Sequence, residues 1–403
     1  MNEAFSTTRR ALVMAACLAL AACGGGGDSD ASAPDSTPAG GGGGEPALQV
    51  LDVNAQLEHS ILLRSDGAVF TWGRNADGKL GDGSLADRLT AVQPTGLGSA
   101  KAIAGGSRHT LALLADGTVW AFGLNDKSQL GDGSVTPHST AVQVSGLSAV
   151  KAIRAQDDTS YALRDDGSVL AWGDNSHGQL GVGHKTSVAS PVPVPALQGV
   201  LDIQAGYDYA LALRADGTVW FWGQDLLAYD TPTPAADVTT PAQVAGLSNI
   251  VAIAAGDYFA MALRSDGKVL VWGGNDYGQL GLGSNQPTST PTVVAGLPAI
   301  SAIRAGAIHG MAQAADGSVY AWGDNDSGKL GDGTTAEHRS PVRVPALDGA
   351  ARMALGFVHT VFVGADGVAR SLGSNEHGRL GDGTTVGKLQ PVAVLGVNAA
   401  KQN

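Results

Sequence analysis

The pair Asp-Gly recurs at Asp66, Asp116, Asp166, Asp216, Asp266, Asp316 and Asp366, each followed by Gly, so the chain repeats seven times at a strict period of 50 residues. A period of that size belongs to solenoids, propellers and arrays, in which each unit hides its apolar face only against its neighbours. The repeats must therefore fold as one body.

Short apolar runs flank each pair, at residues 61–64 and 68–72 around the first and 211–214 and 218–222 around the fourth. Two strands joined by a tight turn follow from that pattern. Asp-Gly suits a hairpin loop that needs positive φ angles, which Gly adopts freely and Asp tolerates. A third run precedes the pair, as at 101–103 and 251–253, and a fourth follows it, as at 191–194 and 341–344. Four short antiparallel strands per unit, with no room for a helix of ordinary length, predict an all-β propeller blade.

Further positions keep the register. Gly73, Gly123, Gly173, Gly223, Gly273, Gly323 and Gly373 are each preceded by Trp, except after Phe122 and Leu372. A large apolar plug beside a residue with no side chain lets one blade pack on the next while the backbone turns away. Six units continue into Leu-Gly-x-Gly, at Leu80, Leu130, Leu180, Leu280, Leu330 and Leu380. The fourth reads Tyr229-Asp230-Thr231-Pro232 instead.

The run Ala-Gly-x-x-His-Thr, then Leu-Ala-Leu, Asp-Gly, Val-x-x-Trp-Gly-x-Asn and Gly-Gln-Leu-Gly resembles the repeat of the regulator of chromosome condensation superfamily, most clearly over 106–130 and 256–283. The resemblance covers residues 45 to 397 and implies a closed seven-bladed propeller with enough strands to close its own ring, hence a monomer. It constrains function far less, because that superfamily includes a nuclear exchange factor, a plant light sensor and secreted bacterial inhibitors of β-lactamase, and a fold is not an activity.

The N-terminus narrows the setting. Arg9 and Arg10 precede an apolar stretch at 11–20, which has the length of a signal-peptide core and is short for a membrane span. Leu20-Ala21-Ala22-Cys23 resembles the bacterial lipobox, so residues 1–22 are expected to be removed and Cys23 to carry lipid. Residues 23–46, with two Gly runs among Asp, Ser and Pro, read as a tether, 47–397 as the propeller and 398–403 as a tail. Gly24 after the lipidated position resembles outer-membrane lipoproteins. Cys17 and Cys23 are the only cysteines, which leaves the propeller without thiol or disulfide. Processing would leave 23 basic against 36 acidic residues. A surface of that sign repels nucleic acid, whose binding rests on phosphate neutralisation.

Catalytic motifs are absent: the sequence has no Gly-x-Ser-x-Gly elbow, no His-Glu-x-x-His and no phosphate-binding loop that opens a helix. His59, His109, His309 and His359 share one repeat position and are expected to hydrogen-bond a turn inside each blade. Asp324-Asn325-Asp326-Ser327-Gly328 matches a calcium loop only in its first turn, because Thr335 stands where the bidentate Glu should be. No cofactor and no metal is expected.

Comparison of the repeats locates the variation. With strands alternating in direction, the first and third turns of each unit share one face and the Asp-Gly turns occupy the other. At the first turn, repeats 3 to 5 replace His by Thr159, Tyr209 and Phe259 and add Asp157, Asp158, Tyr207, Asp208, Asp257 and Tyr258. The third turns of repeats 4 and 5 add Tyr229 and Tyr277. Exposed aromatics among carboxylates have the composition of a protein-binding hot spot, unless the rings fill space left by the degenerate fourth unit. The expected function is a non-enzymatic, membrane-tethered protein-binding module of the cell envelope. The alternatives are a guanine-nucleotide exchange factor, by analogy with the superfamily, and an envelope glycan-binding module or enzyme.

Overall fold

The computed structural model describes residues 48–228 and 235–397. The expected signal peptide, Cys23 and its tether, the C-terminal tail and Tyr229 lie outside the described residues. Seven four-stranded antiparallel sheets follow one another in chain order, each built from one repeat. In the first blade the strands are Val50–Ala55, His59–Arg64, Val69–Gly73 and Arg88–Val92; in the last they are Arg352–Leu355, His359–Val363, Ala369–Gly373 and Lys388–Ala393.

The first strand of each blade lies innermost and packs on the first strands of its neighbours, and the ring closes where Val50–Ala55 meets Arg352–Leu355. The last strand pairs inside its own blade, so no blade is shared between the chain ends. Closure is reinforced by the Ala91 N–H donating to Leu395 O at 3.0 Å and by Arg64 Nη1 donating to Val397 O at 2.7 Å.

The second and third strands carry the core. Residues 59–64 and 69–73 are buried throughout, and the apolar clusters run from one blade into the next: Phe259, Met261 and Leu263 pack with Ile303 and Trp322. Burying both faces of these strands favours Val, Leu, Ala and aromatics at consecutive positions. Fourth strands are edges. Five of them contain Pro, at Pro191, Pro241, Pro291, Pro341 and Pro391, which removes a donor from the exposed rim and disfavours strand addition by another chain.

The Asp-Gly pair makes the expected hairpin turn, but only its Gly takes the positive φ. Gly67 N–H donates to Arg64 O at 2.9 Å and Arg64 N–H to Ala68 O at 2.9 Å, with positive φ at Gly67 (79°) and not at Asp66. This is a tight turn followed by a left-handed glycine, the longer of the common hairpin connections. Asp is favoured for its side chain: the carboxylates of Asp66, Asp116, Asp166, Asp216, Asp266, Asp316 and Asp366 each accept the N–H two residues on.

The third turn is organised by Asn. Asn75 Oδ1 accepts the Leu80 N–H at 3.0 Å while its Nδ2 donates to Ser84 O at 3.0 Å, and Asn125, Asn175, Asn275, Asn325 and Asn375 repeat the bracket. The bracketed Leu is fully buried in all six units. In the fourth, Asp225 and Leu226 take over: Asp225 Oδ1 accepts the Leu227 N–H at 3.3 Å, and Leu226 packs beside Trp272.

Candidate functional site

Three of the four repeat histidines bond the next blade and not a turn of their own. His59 Nε2 lies 3.1 Å from Thr110 Oγ1, His109 Nε2 2.8 Å from Ser160 Oγ, and His359 Nε2 2.7 Å from Ser60 Oγ, in each case across to the next blade. Each hydroxyl also donates to a main-chain oxygen at the third turn, of Lys79, Gln129 and Arg379. A hydroxyl has one proton, so the imidazole donates through Nε2–H. Burial pushes His109 and His359 down to about 3, and His59 and His309 are also driven well below the usual histidine range by burial. His309 occupies the equivalent buried position, but neither of its ring nitrogens has a hydrogen-bond partner among the described residues. Buried and neutral, these rings join blades and are unsuited to acid or base chemistry at the surface.

The third-turn carbonyl has a second client. Trp172 Nε1–H donates to Gln129 O at 2.9 Å, Trp222 to Gln179 O at 2.7 Å, Trp322 to Gln279 O at 2.9 Å and Trp72 to Arg379 O at 2.9 Å. The Trp plug of one blade is thus latched to the loop of the blade before it. Gly106, Gly206, Gly256, Gly306 and Gly356 pack where a Cβ would strike the main chain of the following blade. Together these contacts fix the seven first turns around the axis.

On that frame, the substitutions in repeats 3 to 5 resolve into two groups. Tyr209 and Phe259 are buried in the blade interfaces, so the expectation that they are exposed contact residues is corrected. The hydroxyls that would pair with a histidine are gone from the next blades, where Ala210, Ala260 and Gly310 stand. Thr159, Tyr209 and Phe259 refill the space, and Tyr209 donates its hydroxyl to Gly256 O at 3.0 Å and Phe259 O at 2.5 Å.

The remaining residues meet on the first-turn face. Tyr207 and Tyr258, from adjacent blades, form a tilted ring pair with centroids 5.7 Å apart and planes at 46°, and Tyr207 is 37% exposed. Tyr277 is 47% exposed on the third turn of blade 5, where its N–H donates to Gln279 Oε1 at 2.9 Å. Asp158 is paired: Arg108 Nη2 donates to it at 2.9 Å and Gln129 Nε2 at 2.8 Å. Asp208 accepts from Gln179 Nε2 at 2.8 Å, and His177 Nε2 lies 4.0 Å away. The Asp257 carboxylate accepts only from Gln156 Nε2, at 3.5 Å, among the described residues, while its main-chain oxygen accepts the Tyr207 N–H at 3.3 Å. The Gln156 contact runs from blade 3 to blade 5 and places Asp257 near the axis.

Burial, with mutual repulsion behind it, pushes the carboxyls up: Asp157 to about 7, Asp208 to about 6 and Asp257 to about 7. Asp157 also holds a left-handed backbone, with φ of 45°, and its carbonyl accepts the Ser107 N–H at 3.0 Å. Elsewhere on the face, acids are neutralised. Glu58 receives Arg74 and Lys79, and Lys329, fully buried, pairs with Asp324 and with Asp326, the second at 3.1 Å. An ammonium thus occupies the carboxylates of the calcium-like run. Among the described residues no group of three His, Cys, Asp or Glu is arranged to hold a metal ion.

The supporting glutamines Gln129, Gln156 and Gln179 were not among the expected site residues. Their signal was present, since Gln129, Gln179 and Gln279 share the repeat position filled elsewhere by Lys79, Lys329 and Arg379.

Comparisons with known proteins agree with this architecture. A family model described as RCC1-like domain matches residues 98–402, and one described as regulator of chromosome condensation (RCC1) repeat matches residues 66–113. Among solved structures, human WBSCR16 is 25% identical with a TM-score of 0.71, the match covering 79% of this chain and 88% of that one. Prp20p of Saccharomyces cerevisiae is 25% identical with a TM-score of 0.72, covering 85% of this chain and 87% of that one. Yeast RCC1 (Prp20) bound to Kap60 is 24% identical with a TM-score of 0.72, covering 87% and 85%. Comparison with curated protein sequences gives no significant match.

Proposed function

The chain belongs to the RCC1-like domain family, and from that membership we propose a non-enzymatic binding module that is exported, held at the cell envelope by lipid on Cys23, and docks another protein on the first-turn face of blades 3 to 5. The observation that carries the reading is the composition of that face. Exposed Tyr207 and half-buried Tyr258 form a tilted ring pair on the same turns as carboxyls buried at a cost in stability, whereas Glu58 of blade 1 is neutralised within the chain. Rings that supply rigid contact area and polar groups held short of full pairing are features of protein-binding centres. Prp20p, with the same fold, has recorded binding properties to Gsp1p and histones. That supports protein recognition by such a propeller without naming the partner here.

Capture of envelope proteins on the full chain purified in detergent tests the proposal. Replacing Tyr207 or Tyr258 by Ala should release the captured protein, at least one change costing about 2 kcal/mol of binding, whereas Ser65→Ala and Ser265→Ala on the Asp-Gly face should not. Loss that follows only the melting temperature, or equal loss from both faces, would overturn it.

A further inference from the structure

The structure assigns to the first-turn face of blades 3 to 5 a site for one cationic side chain, the guanidinium or ammonium of an Arg or Lys presented by a partner polypeptide, received by Asp208 and Asp257 against the Tyr207–Tyr258 pair. The inference rests on the binding face proposed above and adds the chemistry of what enters it.

Three observations converge. Asp208 and Asp257 are each 7% exposed, and among the described residues neither is paired with a Lys or Arg. The Asp257 carboxylate has one long hydrogen bond, to Oδ1, which leaves Oδ2 without a donor there. The second observation is independent of the acids. Gln224 is 8% exposed, yet its Oε1 has no hydrogen-bond partner among the described residues. Its main-chain N–H donates to Asp208 O at 2.8 Å, and at the equivalent position of blade 1 Arg74 reaches Glu58, the counterpart of Asp208. A buried acceptor without a donor is expensive, and here it belongs to a residue bonded through its main chain to Asp208, whose carboxylate receives a neutral amide and no Lys or Arg. What is missing is a group with several N–H donors and a positive charge.

The third observation is the tyrosine pair, 5.7 Å between centroids, on the same turns as the two acids. A ring face next to carboxylates favours a planar or compact cation, which gains from the quadrupole as well as from the charges. Blade 1 shows the completed form of the arrangement, with Glu58 holding Arg74 and Lys79 of its own chain. Blade 4 keeps the acceptor as Asp208 and replaces the internal cation by Gln224, while in blade 5 Tyr258 stands at the Glu58 position, beside Asp257, and Gly274 at that of Arg74.

The test uses the full chain and a fluorescein-labelled peptide Gly-Arg-Ser-Arg-Gly, with its citrulline counterpart as the uncharged isostere, measured by anisotropy at physiological salt. The Arg peptide should bind at least tenfold tighter than the citrulline peptide. D208N/D257N should abolish that difference and Tyr207→Ala should weaken it, whereas D216N/D266N on the opposite face, which removes the same charge, should leave it intact. Because the Asn pair removes buried repulsion, that variant is expected to stay folded, and its melting temperature checks this. Equal affinity for the two peptides, or the same loss from D216N/D266N, overturns the inference. Envelope capture that fails on Tyr207→Ala but survives D208N/D257N would leave the binding face standing and remove only the cation site.

Discussion

At the residue scale, opposed titrations set the pH response. A carboxyl whose folded value is about 7, against about 4 in the unfolded chain, binds a proton more readily when folded, so its stabilisation is present at low pH and is lost as pH rises through 7. Asp257→Asn should therefore raise stability at pH 8 by on the order of 3 kcal/mol and by much less at pH 4.5, read from thermal or urea unfolding. The buried histidines run the other way. Their folded values lie far below the unfolded one, so their contribution is full above about 6.5 and is lost as pH falls towards 3. Between pH 7 and 4.5 the two slopes offset, and the parent should melt at nearly constant temperature; D208N/D257N, left with only Asp157 among the carboxyls raised to 6 or above to oppose the histidines, should lose stability over that window. A parent that already falls steeply there would contradict the assignment. The loss of the histidines from blades 3 to 5 was visible in the sequence, but its cause was not, because the partner of residue 109 is residue 160 and that of residue 209 would be Ala260. Only pairs read 51 residues apart show that His and hydroxyl disappear together. The expectation for Tyr209 and Phe259 failed for that reason: a ring at a variable position fills an interface as readily as it faces solvent.

At the element scale the four strands of each blade were legible to within about three residues at their ends, because apolar runs report burial directly and seven copies average out local exceptions. The turn chemistry was less so. Asp-Gly marks a hairpin in either of two loop lengths, and the choice depends on main-chain hydrogen bonds that the pair does not encode. The Asn bracket was visible as the last residue of Trp-Gly-x-Asn, yet its partner five residues on is a main-chain N–H, which no side-chain pattern reveals. Asn175→Ala removes buried hydrogen bonds from the Leu180 N–H and from the turn carbonyls, and should cost about 2 kcal/mol or more of unfolding free energy in denaturant titration. Removing residues 391–397 strips half of the last edge strand and the carbonyl acceptors of the Ala91 N–H and the Arg64 guanidinium. That variant should aggregate and melt earlier; one as soluble and heat-stable as the parent would show that the rim does not depend on it.

At the scale of the whole molecule, seven blades, each complete in its own repeat, give a ring that needs no second chain, and the purified protein should scatter light as a monomer. Closure and blade number followed from the repeat and the family resemblance. Which face carries variation also followed, since alternating strand directions must place first and third turns together. The sequence did not show how the acids on that face differ. Asp158 and Asp208 look alike in sequence, but one receives Arg108 from the preceding blade and the other receives only an amide and a distant imidazole. Pairing is a property of the assembled ring. The account rests most heavily on the claim that this face meets a protein partner. A photo-crosslinking residue placed at position 207 or 258, and in parallel at 116 or 266, tests it in the intact cell. The account predicts a discrete crosslinked adduct from 207 and 258 and none from 116 and 266; adducts from the Asp-Gly face alone, or equally from both, would contradict it.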